Sequence, residues 1–265
     1  MEYKNQYALI TGATSGIGYE LAKIFAKEGY NLVLVARTED DLNTVANEFR
    51  GLFGVEVLTL PKDLFQPFTP FEVYEEVKGH GITINVLVND AGQGVYGKFI
   101  ESDIYQQLDI IQLNVNALTI LTYLFLQDMV ARNEGKILQL GSIVSEIPAP
   151  LQAVYGATKQ YILSFTEALI NEVKDTNVTI TTLQPGPTDT DFFNKAGAEN
   201  SKFAKETKLA DPADVARDGY VALMKGDDKV VSGFKNKVQS VMSNILPDTV
   251  LADNMRKQSE ESDKP

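Results

Sequence analysis

Short, continuously apolar runs alternate with segments of helical periodicity along this chain, and no other feature restricts its fold as much. Tyr7–Thr11 is the first such run and ends at Gly12. Residues 17–29 then carry Leu21, Ile24 and Phe25 at helical spacing, with Gly29 as a stop. Asn31–Ala36 is a second apolar run. A second helix is expected over 38–49, with Thr38 and Asp41 placed as a capping box in which Asp replaces the usual Glu. Further runs at 55–60, 84–88, 136–140, 178–183 and 229–232 predict strands. Segments 70–78, 104–131 (one long helix or two), 155–174 and the one opening at Asp211-Pro212 predict helices. Strands without polar alternation are buried on both faces, which means a parallel sheet covered by helices. The expected fold is α/β and doubly wound, a mostly parallel seven-stranded sheet with helices on both faces. No Pro/Gly/Ser-rich linker and no internal repeat divides the 265 residues, so one domain is expected over 1–265, with a fraying polar tail over 254–265.

Composition removes several chemistries. Cysteine is absent and histidine occurs once, at His80, in a loop. Thiolate nucleophiles, disulfides, cysteine-ligated metal centres and multi-histidine metal sites are thereby excluded. The formal charge of −12 argues against nucleic acid and against an anionic membrane surface as partners. The most apolar later stretch, 117–126, is interrupted by Thr119, Thr122 and Tyr123, so no membrane span is expected. Met1–Asn5 leads into an apolar stretch too brief for a secretory signal, and a cytoplasmic protein is expected.

The first strand joins the first helix through Thr11-Gly12-Ala13-Thr14-Ser15-Gly16-Ile17-Gly18. Glycines allow a tight turn and close backbone approach, and free N–H groups at a helix start attract phosphate. In parallel sheets such turns lie at the carboxyl ends of strands, where nucleotides bind. Arg37 follows the second strand, where an acidic side chain would hold an adenosine ribose and an arginine can hold a 2′-phosphate. Arg37 therefore points to NADP(H); the alternative is a solvated surface arginine. Glu39, Asp40 and Asp41 suit the first turn of a helix.

Tyr155 and Lys159 stand four residues apart at a predicted helix start and share a face. A cation beside a phenol favours the phenolate, and the pair can exchange a proton with a carbonyl or alcohol oxygen.

Several pieces occur in a telling order: the glycine turn, Asp63-Leu64, Asn89-Asp90-Ala91-Gly92, Asn114, Ser142, Tyr155 with Lys159, and Pro185-Gly186-Pro187-Thr188. Ser142 lies 13 residues before Tyr155. From about Lys4 to Gly233 the chain resembles the short-chain dehydrogenase/reductase family of the single-domain, Rossmann-like type. The resemblance implies Tyr155 as proton donor or acceptor, Lys159 binding nicotinamide-ribose hydroxyls and lowering the tyrosine pKa, and Ser142 bonding the substrate carbonyl. Asn114 would hold a water that links Lys159 to solvent. Cofactor contacts are implied for Gly12, Thr14, Ser15, Gly16, Ile17, Gly18, Arg37, Asp63, Leu64, Asn89, Ala91, Gly92, Tyr155, Lys159, Pro185, Gly186 and Thr188. One position departs from the pattern: Asp90 stands where the family has a second Asn. A carboxylate only accepts, so any contact needing the amide donor must be remade or lost. Asp90 repels cofactor phosphates if it faces them, and is tolerated if it faces backbone N–H groups.

The implied activity is hydride transfer between NADP(H) and a small carbonyl or alcohol substrate, a hydrophobic ketone or acyl compound. An NAD-dependent alcohol dehydrogenase and a non-catalytic NADPH-binding sensor or scaffold are the alternatives. The substrate pocket is expected between 94–99, 143–151 and the segment after Thr188. Residues 189–210, with Phe192, Phe193 and Phe203, are read as a lid or as a surface excursion that packs down. Residues 234–246 have helical apolar spacing and suit an interface or the fold's own core. A homodimer or homotetramer is implied by resemblance alone.

Overall fold

The computed structural model describes Tyr3, residues 5–233 and residues 247–262. Seven strands form one sheet: β1 (Tyr7–Thr11), β2 (Asn31–Ala36), β3 (Val57–Pro61), β4 (Ile84–Asn89), β5 (Gly135–Leu140), β6 (Val178–Gln184) and β7 (Lys229–Val231). Their order is β3-β2-β1-β4-β5-β6-β7, and every neighbouring pair is parallel. The expected doubly wound α/β sheet is therefore what the chain forms. Leu32, Val33, Leu34 and Val35 of β2 are each shielded, as a strand covered on both faces requires.

Helices α1 (Gly16–Glu28), α2 (Glu39–Phe53) and α9 (Pro212–Lys225) pack one apolar layer against β1, β2 and β4. On the other face α3 (Thr69–Gly79) and α5 (Leu118–Ala131) bury Val73, Val77, Leu121, Phe125 and Met129 against the sheet. Between them in the chain lies α4 (Ile104–Ile111), and α6 (Ala153–Glu172) crosses beside α4 and packs on β6. Chain order reverses between β1 and β4, and a crevice opens at the carboxyl ends of those strands.

Local details correct or refine the sequence reading in four places. Thr38 is the N-cap of α2 but makes no side-chain cap bond; the three acids Glu39, Asp40 and Asp41 of its first turn remain to meet the helix dipole. The ambiguous 104–131 segment is α4 and α5 joined through a π-helical stretch, Gln112–Ala117. Together these 28 residues are long and apolar enough by composition to cross a membrane, which the broken 117–126 run did not suggest. Here Leu113, Ala117 and Leu121 pack into the sheet's core. The third difference is at the tail. Asp248–Ser259 is a helix rather than a frayed end, because Leu251 and Met255 bury against Ile143, Val144 and Ile147.

The excursion 189–210 is the fourth. It holds two short helices, α7 (Phe192–Ala196) and α8 (Lys202–Glu206), and is tied at its base by a parallel bridge between Thr188 and Ala210. It is also bonded to the residues just after the last described helix, and Phe203 packs with that helix's Leu251 and Met255. Lys202 N–H donates to the Glu260 carbonyl at 2.9 Å, and Ser262 N–H to that of Asn200 at 2.8 Å. The apolar spacing of 234–246 lies outside the described residues.

Phe25 marks the tightest part of the α1 layer. It is fully shielded and meets Tyr30 and Tyr220 edge-on, with ring centroids 5.3 and 5.2 Å apart. Phe25→Ala is expected to cost ~3–5 kcal/mol, read as a lowered midpoint in urea or thermal melting.

Candidate active site

The crevice is a cleft of about 460 Å³ whose walls are the loops after β1, β2, β3, β4, β5 and β6. Gly12, Thr14, Ser15, Gly16 and Ile17 form one side. Gly12 takes φ +70°, a left-handed conformation that glycine adopts without strain. Gly18 does not line the cleft. It makes the turn possible, since a Cβ there would sit 2.5 Å from both the Gly12 carbonyl oxygen and Asp90 Oδ2.

Arg37, Asp63 and Leu64 line one end, joined by Thr38, Asp41, Lys62 and Phe65. The Arg37 guanidinium lies 5.3 Å from the centre of the Phe65 ring. Lys62 pairs with Glu72 at 3.2 Å and Glu76 at 3.1 Å. Asp63 Oδ1 accepts the Phe65 N–H, which fixes the turn after β3.

Ala91 and Gly92 line the middle of the cleft, as does Asp90. Asn89 does not. Its amide is buried, donating to Thr122 Oγ1 and Gln139 Oε1 at 3.0 Å each, so it braces β4 from behind. A direct cofactor contact by Asn89 is therefore not part of this arrangement. Asp90 accepts the Gly18 N–H, and burial pushes its carboxyl up to about 7 against the opposing pull of Lys159.

At the other end stand Ser142, Tyr155 and Lys159 with Pro185, Gly186 and Thr188. Ser142 caps a short turn, accepting the Val144 N–H on its hydroxyl oxygen at 3.3 Å. Its side chain also hydrogen-bonds Tyr155. Lys159 is 3% exposed and donates to the Leu140 carbonyl at 2.7 Å, with its ammonium 5.7 Å from the Tyr155 ring centre. Burial lowers Lys159 to about 8, opposed by Asp90. Tyr155 keeps one edge on the cleft while its hydroxyl is desolvated. Burial raises the phenol to about 12, and the Ser142 hydrogen bond acts the other way. The expectation of a lowered tyrosine is thus reversed in this arrangement, because desolvation outweighs the stabilisation of the phenolate.

Asn114 sits in the π-helical stretch and is 1% exposed, behind the cleft wall. Its amide clamps the Gln93 backbone, accepting its N–H at 3.1 Å and donating to its carbonyl at 2.9 Å, and also donates to Thr158 Oγ1. Single-turn π distortions inside helices are frequent at functional sites.

Over Tyr155 lies the apolar part of the cleft: Ile143, Val144, Phe192, Phe193, Phe203 and Met255. The Phe192 and Tyr155 ring centres are 5.1 Å apart. Of residues 94–99 and 147–151, expected in this wall, Gly94 packs against Tyr155 and Phe192, whereas 95–99 and 147–151 do not line the cleft; Ile147, Ala149 and Leu151 are buried in the layer behind it. Met255 carried no signal in the sequence, whereas Lys62 and Phe65 flank a motif that did.

Residues 6–201 match the short chain dehydrogenase family model. The chain belongs to the short-chain dehydrogenase family. It is 33% identical to the mouse (Mus musculus) very-long-chain 3-oxoacyl-CoA reductase over 186 residues, 68% of this chain and 58% of that protein. It is 31% identical to mouse 17-beta-hydroxysteroid dehydrogenase type 3 over 76% of this chain and 68% of that one. The chain thus spans well under two thirds of the length of the 3-oxoacyl-CoA reductases it matches. A short-chain dehydrogenase from Sphingobium yanoikuyae in complex with NADPH superposes with a TM-score of 0.80 at 26% identity, covering 98% of this chain and all of that one. The family is one of oxidoreductases that bind a nicotinamide dinucleotide. The cleft of this short-chain dehydrogenase fits such a group: its glycine cradle has no room for a Cβ at Gly18, and it runs from Arg37 to the Tyr155–Lys159 pair.

Tyr155→Phe keeps the ring and removes the proton. It is expected to lower kcat by roughly 10²–10⁴-fold while dinucleotide affinity, read by fluorescence titration, stays unchanged.

Proposed function

We propose that this short-chain dehydrogenase is an NADP(H)-dependent reductase of a hydrophobic carbonyl compound, a ketone or an acyl compound with a keto group. The observation that carries this is geometric: Ser142, Tyr155 and Lys159 meet at one end of the cleft beneath an apolar roof. Bound nicotinamide supplies the hydride. The substrate oxygen takes its proton from Tyr155, and the Ser142 hydroxyl, placed by the Val144 N–H, orients that oxygen. Lys159, anchored on the Leu140 carbonyl, would hold ribose hydroxyls of the bound dinucleotide and would keep a positive charge beside the phenol as negative charge develops there. Asn114 sets the Gln93 backbone and the Lys159 surroundings; a water chain to Lys159 is its role in this reading. The reverse oxidation needs the phenolate and is favoured by alkaline pH.

The roof supports an apolar substrate, in line with its similarity to a very-long-chain 3-oxoacyl-CoA reductase and a 17-beta-hydroxysteroid dehydrogenase. Arg37 supports NADP(H), and the Asp41 carboxylate that lines the same end is the feature on the side of NAD(H). A homodimer or homotetramer is part of this reading, supported by the exposed Phe99, Ile100, Ile104, Tyr105 and Leu108, which a second copy would cover; a cytoplasmic location is proposed with it.

Turnover of NADPH and NADH on a panel of alkyl ketones, 3-oxoacyl thioesters and steroid ketones tests the reading. NADPH is expected to give the higher kcat/KM, and Arg37→Ala to lose about tenfold or more with NADPH, through KM, with NADH unaffected. Tight NADPH binding without turnover of any carbonyl would instead support a sensor. Equal use of both cofactors, unchanged in Arg37→Ala, would remove the NADP(H) assignment.

A further inference from the structure

Asp90 is a titratable group at the centre of the cleft that the reaction above does not use. Its placement is tight. Oδ2 lies 2.5 Å from where a Cβ on Gly18 would sit and 3.0 Å from where one on Gly12 would sit, so the carboxyl is wedged between the first and last glycines of the turn. It accepts the Gly18 N–H. Oδ1 is enclosed and has no hydrogen-bond partner. The backbone cannot easily carry the side chain away, because the N–H groups of Asp90 and Ala91 both donate to Thr11 Oγ1 at 3.0 Å. The Gly12 carbonyl crowds the same point as Oδ2 and presents an acceptor.

An ionised carboxylate in this place can only accept. A neutral acid accepts the Gly18 N–H and also has a proton to give, which restores the donor that an amide supplies. Among the described residues, Lys159 from α6 is the charged side chain acting on Asp90. The end of β1, the glycine turn and the start of α1 bring backbone and the Thr11 hydroxyl.

We propose that Asp90 is a positioning residue that holds the glycine turn as a neutral acid, and that binding the anionic dinucleotide takes up a proton at this carboxyl. The inference rests on the dinucleotide-binding reading of the cleft. Burial already brings Asp90 to about 7, and Lys159 pulls it down. A pyrophosphate in the same cleft disfavours the carboxylate further, so the group is more basic in the complex than in the free protein. The sign follows. Well below pH 7 the acid is already neutral and no proton moves. Above that, binding draws a proton from solvent, and affinity falls as pH rises.

Calorimetric titration of NAD⁺ into the full chain, in buffers of different ionisation enthalpy, counts the protons directly; NADP⁺, whose 2′-phosphate itself titrates at about pH 6, is the second ligand at about pH 8 only. At about pH 6 the wild type is expected to take up almost none. At about pH 8 uptake is expected to approach one proton, with Kd rising by up to ~tenfold per pH unit. Lys159 titrates nearby, so the decisive pair is Lys159→Met against Lys159→Met/Asp90→Asn. The single variant should keep the uptake, moved to higher pH because the cation that favours ionised Asp90 is gone. The double variant should lose it and show a flat Kd. Absent uptake in the wild type, loss in Lys159→Met alone, or survival in the double variant overturns the proposal. Asp90→Asn alone should melt no lower than wild type at pH 8, since a neutral isostere holds the turn at least as well; a lower melting temperature also overturns it. If neither dinucleotide binds the wild type, the cofactor reading of the cleft fails instead.

Discussion

A single hydroxyl sits where the two halves of the sheet meet. Thr11 Oγ1 accepts the N–H groups of Asp90 and Ala91 and donates to the Val88 carbonyl at 3.4 Å. β1 and β4 stop pairing there, and the backbone groups beyond the last ladder bond need partners. Thr11 supplies them from one atom, so the glycine turn and the Asp90–Gly92 loop are fixed relative to each other. Every other part of the cleft is referenced to that junction: the cradle on one side, the proton-handling groups on the other.

The polar groups at the Tyr155 end of the cleft are held largely by backbone and by buried amides, with Ser142 also bonded to Tyr155. Lys159 is anchored on a strand carbonyl, Ser142 on the N–H of Val144, and the loop above them by Asn114. Behind β4 and β5, Asn89, Thr122 and Gln139 close a small polar ring, with Gln139 donating to Thr122 at 2.8 Å. The ring leaves Asn89 Oδ1 buried without a partner, while its amide donors are met and tie the ends of β4 and β5 to α5. Rigid placement of donors is what lets a site stabilise charge without reorganising.

The sheet was legible in the sequence because parallel strands announce themselves as unbroken apolar runs, as Leu32–Val35 do. The grouping of Ser142, Tyr155 and Lys159 is legible because they keep a fixed spacing, and the structure brings them to one end of the cleft, with Asn114 behind its wall. Asn89 was assigned by its motif to the cofactor, yet motif membership does not say which way a strand-end side chain faces, and this one faces the core. Burial of the tyrosine hydroxyl could not be read from spacing either, so the direction of its shift was missed. The tail was misjudged for a related reason. Its composition is polar, and only contact with Ile143 and Val144 turns Leu251 and Met255 into helix-fixing residues. Long-range contact of this kind leaves no local trace.

The bonds that join Asn200 and Lys202 to the segment after Ser259, and Met255 to the roof, have a consequence for how the chain can change over time. The hydride machinery is complete by Thr188. The surface that decides which molecule fits is assembled from the excursion and the last described helix, which share few residues with it. Substitutions in that outer pair can therefore reshape the apolar end of the cleft in small steps while the sheet and the turn beneath it stay unchanged.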